Sequence, residues 1–330
     1  MAAGATRHSP REMGVHHHRR RAAVLGAGLA AAALATACSS GGAAPAAPAA
    51  EPAASAPSTA PTRTLTVLAS TNVWGDVVSK IAGPGVQVRS IINDPNADPH
   101  SYESTPNDAA AISSADVVVY NGGGYDEFVT KALDADPAAK GKSIEAFGFR
   151  PDQADDNEHV WFDTTAVVGV VRQVAQRLGQ AEPAQAAQIS QRAEAFAGQV
   201  DQIGQRIAAI GQARPGQRGA ATEPVPHYLE TRAGLADVTP EAFTKAIEEE
   251  TDPPAAAVAE TTDLITSRGV NVLFFNPQTE SPVTEKLRSA AQAANIPIVN
   301  VTETLPPGTD YLGWLDGYQS QIATAVGAPQ

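Results

Sequence analysis

A long amphipathic stretch near the middle of this 330-residue chain, between Pro183 and Pro215, constrains its fold most strongly. Its apolar residues recur at alternating spacings of four and three: Ile189, Ala193, Phe196, Val200, Ile203, Ile207 and Ile210. This spacing predicts one helix of about 45 Å with a single buried stripe. Glycines at positions 198, 204 and 211 weaken the prediction that the helix is unbroken. A helix of this length could join two lobes as a rigid backbone.

Apolar runs alternate with helical patterns on both sides of the long stretch. The predicted strands are 65–70, 86–92 and 115–120 before it, and 220–222, 270–275 and 296–301 after it. Strands that alternate with helices predict mainly parallel sheets. We therefore predict an α/β protein with two Rossmann-like lobes, at 63–183 and 215–330, joined by a linking helix at 184–214.

The first 38 residues have the parts of a secretory leader. Three arginines at 19–21 precede an apolar segment at 22–34, which is too short to span a bilayer, and small residues follow it. Cys38 comes next, in a context that resembles the lipobox of bacterial lipoproteins, although a chance cysteine at the end of a cleaved leader is the alternative. We predict a signal peptide and lipobox at 1–38, a lipid attached to Cys38, and a disordered tether at 39–62 that is rich in proline and alanine.

Composition excludes some classes of function. A net charge of −13 argues against nucleic-acid binding, because contacts to a phosphate backbone depend on Lys and Arg. The chain's one cysteine cannot form an internal disulfide. A hydrophobic content of 43% is enough for a sizeable core.

Four residues follow predicted strands or lie in loops of the two lobes and could bind a metal ion. His100 and His159 belong to the first lobe, and Glu223 and Glu303 belong to the second. Ligands of α/β sheets collect at the carboxyl ends of the strands, so these side chains could converge. Each is a weak signal alone, since a single loop histidine is more often not a ligand.

Four segments of the chain form a recognisable set: the DPHSYE sequence at 98–103, ADVVVYNG at 115–122, EHVW at 158–161 and the long helix between the lobes. Their order and spacing together resemble those of the substrate-binding lipoproteins of zinc and manganese ABC transporters. The resemblance covers about residues 64–325. It implies two α/β lobes on a rigid helical backbone, with a metal in the cleft bound by two residues from each lobe.

The resemblance implies particular ligands for this chain. His100 and His159 match the two histidine ligands of the family's first lobe. Glu223 stands five residues before Tyr228, where the family has His or Glu before an aromatic residue, and Glu303 occupies the place of the family's final Asp. His227 is the alternative for the third position. Asp98, Glu103 and Glu158 are expected to be solvated or to support the ligands.

Two departures from the family bear on which metal is bound. Glutamates replace a histidine and an aspartate that other members have, and the His-rich loop of many zinc-binding members is missing. Carboxylates suit Mn²⁺, whereas Zn²⁺ binds more tightly to most such sites, so we expect Zn²⁺ with Mn²⁺ as the alternative.

The implied function is an extracytoplasmic, lipid-anchored and monomeric binding protein that delivers Zn²⁺ or Mn²⁺, its bound substrate, to a membrane ABC permease. The alternatives are a secreted metal-dependent hydrolase, or an adhesin or organic-ligand binder on the same scaffold. The chain has no His-Glu-x-x-His and no Gly-x-Ser-x-Gly sequence. Four protein ligands would also leave no open position for a catalytic water, so we expect no enzymatic activity.

Overall fold

The computed structural model describes residues 63–97 and 99–329. The predicted signal peptide, Cys38, the predicted tether and Asp98 lie outside the described residues. Every helix in the described ranges is too short or too polar to cross a lipid bilayer.

The first half of the described chain forms a four-stranded parallel sheet. Its strands are β1 (Leu65–Thr71), β2 (Val86–Ile92), β3 (Val117–Tyr120) and β4 (Ser143–Glu145), in the order β2-β1-β3-β4. The helices of this half are α1 (Asn72–Ala82), α2 (Pro106–Ser114), α3 (Glu127–Ala135) and α4 (Pro137–Lys140). All four residues of β3 are buried, as expected for an inner strand of a parallel sheet with helices on both faces.

Two helices connect the sheets. They are α5 (Thr164–Ala181) and α6 (Ala186–Ala213), and they pack against each other. The α6 helix has 28 residues and runs without a break, and all seven residues of its predicted apolar stripe are buried. The predicted long helix is therefore confirmed, and its glycines do not interrupt it.

Two of the glycines in α6 allow other parts of the chain to approach closely. A Cβ on Gly211 would lie 2.7 Å from the carbonyl oxygen of Ala233, and one on Gly204 would lie 2.6 Å from Oγ1 of Thr164. Both separations are shorter than van der Waals contact, so a side chain at Gly211 would push the backbone of residues 233–234 away, and one at Gly204 would displace the Thr164 side chain. Glycine lowers the intrinsic helix propensity at these positions, but it allows the neighbouring elements to pack closely against α6.

The second half repeats the strand order of the first. Its strands are β5 (Arg218–Ala221), β6 (Ala236–Asp237), β7 (Val272–Phe275) and β8 (Ile298–Asn300), all parallel, in the order β6-β5-β7-β8. Its helices are α7 (His227–Arg232), α8 (Glu241–Glu248), α9 (Ala255–Thr266), α10 (Pro282–Ala294) and α11 (Tyr311–Val326). The prediction of an α/β fold with a parallel sheet on each side of the long helix is confirmed.

The last helix, α11, contacts elements of both halves. It packs against α6, α1, β7 and β8. The hydroxyl of Tyr311, at its start, donates to the carbonyl oxygen of Trp161 at 2.7 Å, and both side chains are buried. Lys80 of α1 pairs with Asp310, the residue before α11, at 2.7 Å. The predicted lobe boundaries at 183 and 214 stay predictions.

Candidate metal centre

The two predicted histidine ligands lie at connections that leave the first sheet. His100 belongs to the loop between β2 and α2, and His159 lies after β4, at the start of a 3₁₀ turn formed by Val160–Phe162. Their ring centroids are 6.0 Å apart. The ring of His159 is fully buried, whereas 21% of the His100 side chain is exposed, so His100 lies on the solvent side of the pair.

Asn157 fixes which nitrogen of His159 faces the centre. Its Oδ1 accepts from the backbone N–H of His159 at 3.0 Å and lies 3.1 Å from Nδ1 of the ring. Because a backbone N–H can only donate, this atom is an acceptor, and Nδ1 therefore carries the ring hydrogen. That tautomer leaves a lone pair on Nε2, which has no hydrogen-bond partner among the described residues.

Burial keeps the His159 imidazole neutral. Desolvation, followed by the nearby charges of His100 and His227, lowers the pKa of His159 well below its ordinary value. The neutral form is the one that binds a metal ion. His159 therefore needs no loss of a proton before it can act as a ligand.

Glu303 faces the histidines from the second half. It lies three residues after β8, and 2% of its area is exposed. Its Oε1 accepts from Nδ2 of Asn276 at 3.0 Å, and its backbone N–H donates to Oε1 of Gln278 at 2.6 Å. The other carboxylate oxygen, Oε2, is 3.5 Å from Nε2 of His100. One oxygen is thus held by the protein and the other points at the imidazole.

A glutamate that the sequence analysis did not select also reaches this centre. Glu248 lies at the end of α8, and its Oε1 is 3.6 Å from Nε2 of His159. Burial raises the pKa of Glu248 to about 8, and the negative charges of Glu158, Glu303 and Glu223 contribute to that rise. A bound cation would favour the ionised form of this carboxyl, because an opposite charge nearby stabilises a carboxylate.

One sequence signal could have identified Glu248. Residues 248–250 are three successive glutamates at the carboxyl end of a helix. Negative charge is unfavourable there, because the helix dipole already places partial negative charge at that end. Acidic residues in an unfavourable position can indicate a binding role.

The ligand atoms form two overlapping groups that share His100. One atom each of His100, His159 and Glu303 lie within 4.8 Å of one another, and the same holds for His100, Glu158 and Glu248. Two donors on one tetrahedral Zn²⁺, each about 2.0–2.1 Å from the metal, are about 3.3 Å apart. The 3.5 Å and 3.6 Å pairs are close to that separation, so the residues fit a divalent cation.

The remaining predicted site residues have different surroundings. Glu223 follows β5 and is buried, but it belongs to neither group of ligand atoms; its charge nevertheless acts on Glu248. Nε2 of His227, the alternative third ligand, lies 2.8 Å from Oδ2 of Asp155. Glu103 is exposed, whereas Glu158 is mostly buried and belongs to the second group.

Two side-chain amides join the halves beside the site. Nε2 of Gln278, whose Oε1 positions Glu303, donates to the carbonyl oxygens of Pro95 and Ala97, shortly before His100. Nδ2 of Asn157 donates to the carbonyl oxygen of Pro224, the neighbour of Glu223, at 3.0 Å. The loops that carry the predicted ligands of one half are therefore bonded to loops of the other.

Comparisons with known proteins point to one group. The family model described as zinc-uptake complex component A, periplasmic, matches residues 67–325. The metal ABC transporter substrate-binding lipoprotein SloC of Streptococcus mutans is 26% identical over 42% of this chain and 49% of its own length. The manganese-binding lipoprotein MntA of Halalkalibacterium halodurans is 30% identical over 36% of this chain and 40% of its own. The chain thus aligns with half or less of the length of these relatives.

A solved structure extends the likeness over most of the chain. The periplasmic zinc-binding protein TroA from Treponema pallidum superposes with a TM-score of 0.66 at 21% identity. The match covers 81% of this chain and all of that one. The fold of the described residues is therefore the fold of that protein.

Proposed function

Because the chain belongs to the family of zinc-uptake complex component A, we propose that it captures Zn²⁺ or Mn²⁺ outside the cell membrane and delivers the ion to an ABC permease. The observation that carries the proposal is the convergence of His100, His159 and Glu303, whose ligand atoms lie within 4.8 Å of one another in a largely buried centre. The names of SloC and MntA, both metal-related lipoproteins, support the same function.

The proposed ligand set is His100, His159, Glu223 and Glu303. Two neutral imidazoles and two carboxylates neutralise a divalent cation, so these four ligands and the ion together carry no net charge. Glu223 is buried near the cluster and would complete the set once a cation draws its side chain inward. The bound metal is the transported substrate, and the protein is a binding protein rather than an enzyme.

The proposed location follows from the beginning of the chain. A leader with a lipidated Cys38 and a tether at 39–62 would hold a monomeric protein at the outer face of the membrane, within reach of the permease. The ion must also leave the protein for transport. Movement of the loops around His100, the more exposed of the two imidazoles, would open the site for release.

Metal analysis of the mature protein with Cys38→Ser tests this function. Protein stripped with a chelator is titrated with Zn²⁺ and Mn²⁺ by calorimetry, and the bound metal is counted by mass spectrometry. We expect about one ion per chain in the wild type and a large loss of binding in His100→Ala. Glu103→Ala, an exposed residue of the same loop, is the control and should bind normally. Unchanged metal content in His100→Ala would contradict the proposal.

A further inference from the structure

The two sheets contribute to the site from equivalent positions. The connection after the second strand of the first sheet carries His100, and the connection after the second strand of the second sheet carries Glu248 in α8. Similarly, His159 follows the fourth strand of one sheet and Glu303 follows the fourth strand of the other. Because the strand orders are the same, these four connections form two equivalent pairs.

The four residues contact one another across the halves. Nε2 of His100 lies 3.5 Å from Glu303, and Nε2 of His159 lies 3.6 Å from Glu248. Each imidazole of the first half therefore faces one carboxylate of the second at nearly the same separation. Both separations are close to the distance between two donors on one ion, about 3.3 Å for tetrahedral Zn²⁺.

We propose that Glu248 is a further ligand of the same cation, and that its oxygen makes the site favour a metal that takes five or six hard donors, such as Mn²⁺. The inference rests on the proposed function of the site. Zn²⁺ is satisfied by four ligands, whereas Mn²⁺ prefers a larger, oxygen-rich set. With Glu248, the site offers two imidazoles and three carboxylates.

Two buried atoms at this contact are suited to binding one shared cation. Neither Nε2 of His159 nor Oε1 of Glu248 has a hydrogen-bond partner within 63–97 and 99–329, although both are buried. Leaving two such atoms without partners costs free energy that a shared cation would recover.

Glu248→Gln tests the inference, with Glu249→Gln as a control of the same chemistry at the adjacent, exposed position. Mn²⁺ affinity is measured from the electron paramagnetic resonance signal of free Mn²⁺, and Zn²⁺ affinity by competition with a chromophoric chelator. We expect Glu248→Gln to weaken Mn²⁺ binding about 10- to 100-fold and Zn²⁺ binding by less than about tenfold. Glu249→Gln should change neither affinity.

X-ray absorption of the Mn²⁺-loaded protein distinguishes a ligand from a residue that only shapes the site. A ligand role predicts a changed oxygen shell around Mn²⁺ in Glu248→Gln, because a water or the weaker amide oxygen would replace the carboxylate oxygen, whereas Glu249→Gln should match the wild type. Unchanged affinities, or equal losses for both metals with an unchanged oxygen shell, would overturn the inference. Either result would leave the proposed function standing if His100→Ala still abolishes binding, whereas normal binding by His100→Ala would defeat the function itself.

Discussion

The two halves of the molecule share a strand order but bring different chemistry to the site. The first half supplies both imidazoles together with the Glu158 carboxylate, and burial holds His159 in its neutral form. The second half supplies carboxylates, and its Glu248 has a pKa raised to about 8 by burial and by neighbouring negative charge. Neutral imidazoles can be buried together at little cost, whereas ionised carboxylates buried side by side repel one another until a cation binds between them.

Loss of the buried imidazole should have the largest effect on binding. We expect His159→Ala to weaken Zn²⁺ affinity by more than about 100-fold, because it removes a ligand that is already oriented toward the metal. Removing a residue that only hydrogen-bonds to a ligand typically weakens affinity about 10- to 100-fold. Competition with a chelator of known affinity measures the change. His159→Gln, which retains most of the side-chain volume, should lose nearly as much. Binding within about tenfold of wild type in both variants would remove His159 from the ligand set.

Glu223 and His227 are the two candidates for the third ligand of the site, and their substitutions should weaken metal binding by different amounts. Glu223 is buried near the cluster, while His227 is partly exposed and engaged with Asp155. We therefore expect Glu223→Ala to weaken metal binding about 10- to 100-fold and His227→Ala to weaken it by less than about threefold. The same competition assay compares them, and the reverse order would reassign the ligand to His227.

Much of the fold could be predicted because the apolar periodicity of the sequence is strong where packing is extensive. The stripe of α6 and the continuous apolar run of β3 both predict the elements that form. The two-residue strand β6 is exposed and has no such pattern. The α11 helix was missed although its start and end are marked, by Asp310 as N-cap and Gly327 in the left-handed region.

The site was less predictable, because its geometry depends on contacts between the halves. His100, His159 and Glu303 were selected by their positions after strands or in loops and by a family resemblance, and the structure brings their ligand atoms together. Glu248 was missed because a run of glutamates at a helix end has the composition of a solvated surface. Only the path of the chain from β6 through α8 places that carboxylate beside His159.

Each half also buries a carboxyl group away from the site, and the two groups differ in their hydrogen bonding. Asp126, in the first half, accepts from the backbone N–H groups of Asn121 and Gly122 at 2.7 Å and 2.8 Å. Glu230, in the second half, is equally buried, but its Oε1 has no hydrogen-bond partner in the part of the chain that the structure describes. Burial raises the pKa of Glu230 well above its ordinary value, and the charge of Asp237 adds to the rise.

Glu230→Gln should therefore stabilise the protein at alkaline pH. A carboxyl with a raised pKa holds a proton in the folded state that the unfolded chain releases above about pH 4.3. Stability is then fully present below that pH and falls as the pH rises through the folded pKa. We expect Glu230→Gln to raise the free energy of unfolding by about 2–3 kcal/mol at pH 8 and to change it little at pH 4.

Denaturant unfolding across this pH range measures the effect of Glu230→Gln. Glu260→Gln, an exposed glutamate of α9, is the control and should leave the pH dependence of stability unchanged. If Glu230→Gln has the same effect at pH 4 and pH 8, the pKa of Glu230 does not differ between the folded and the unfolded protein, and the inferred cost of burying its carboxylate is wrong.

Alanine substitutions of the α6 glycines should have the smallest effects. We expect one to lower and the other to raise the free energy of unfolding. At Gly211, where the second half packs closely, an added Cβ would meet the carbonyl oxygen of Ala233 at 2.7 Å and Cα of Gly234 at 3.0 Å. These are backbone atoms and cannot rotate away. We expect Gly211→Ala to lower the free energy of unfolding by about 1–2 kcal/mol, measured by denaturant unfolding.

Gly198 is the matched position in the same helix, because an added Cβ there would meet none of the described residues within 4 Å apart from its own stretch of helix. Alanine restricts the unfolded chain and favours the helix, so Gly198→Ala should raise the free energy of unfolding by about 0.5–1 kcal/mol. The opposite signs follow from packing, since the two substitutions have the same helix propensity. If Gly211→Ala were also stabilising, the approach of α6 to residues 233–234 would not require glycine. The helix would then pack less tightly against the second half than the structure shows.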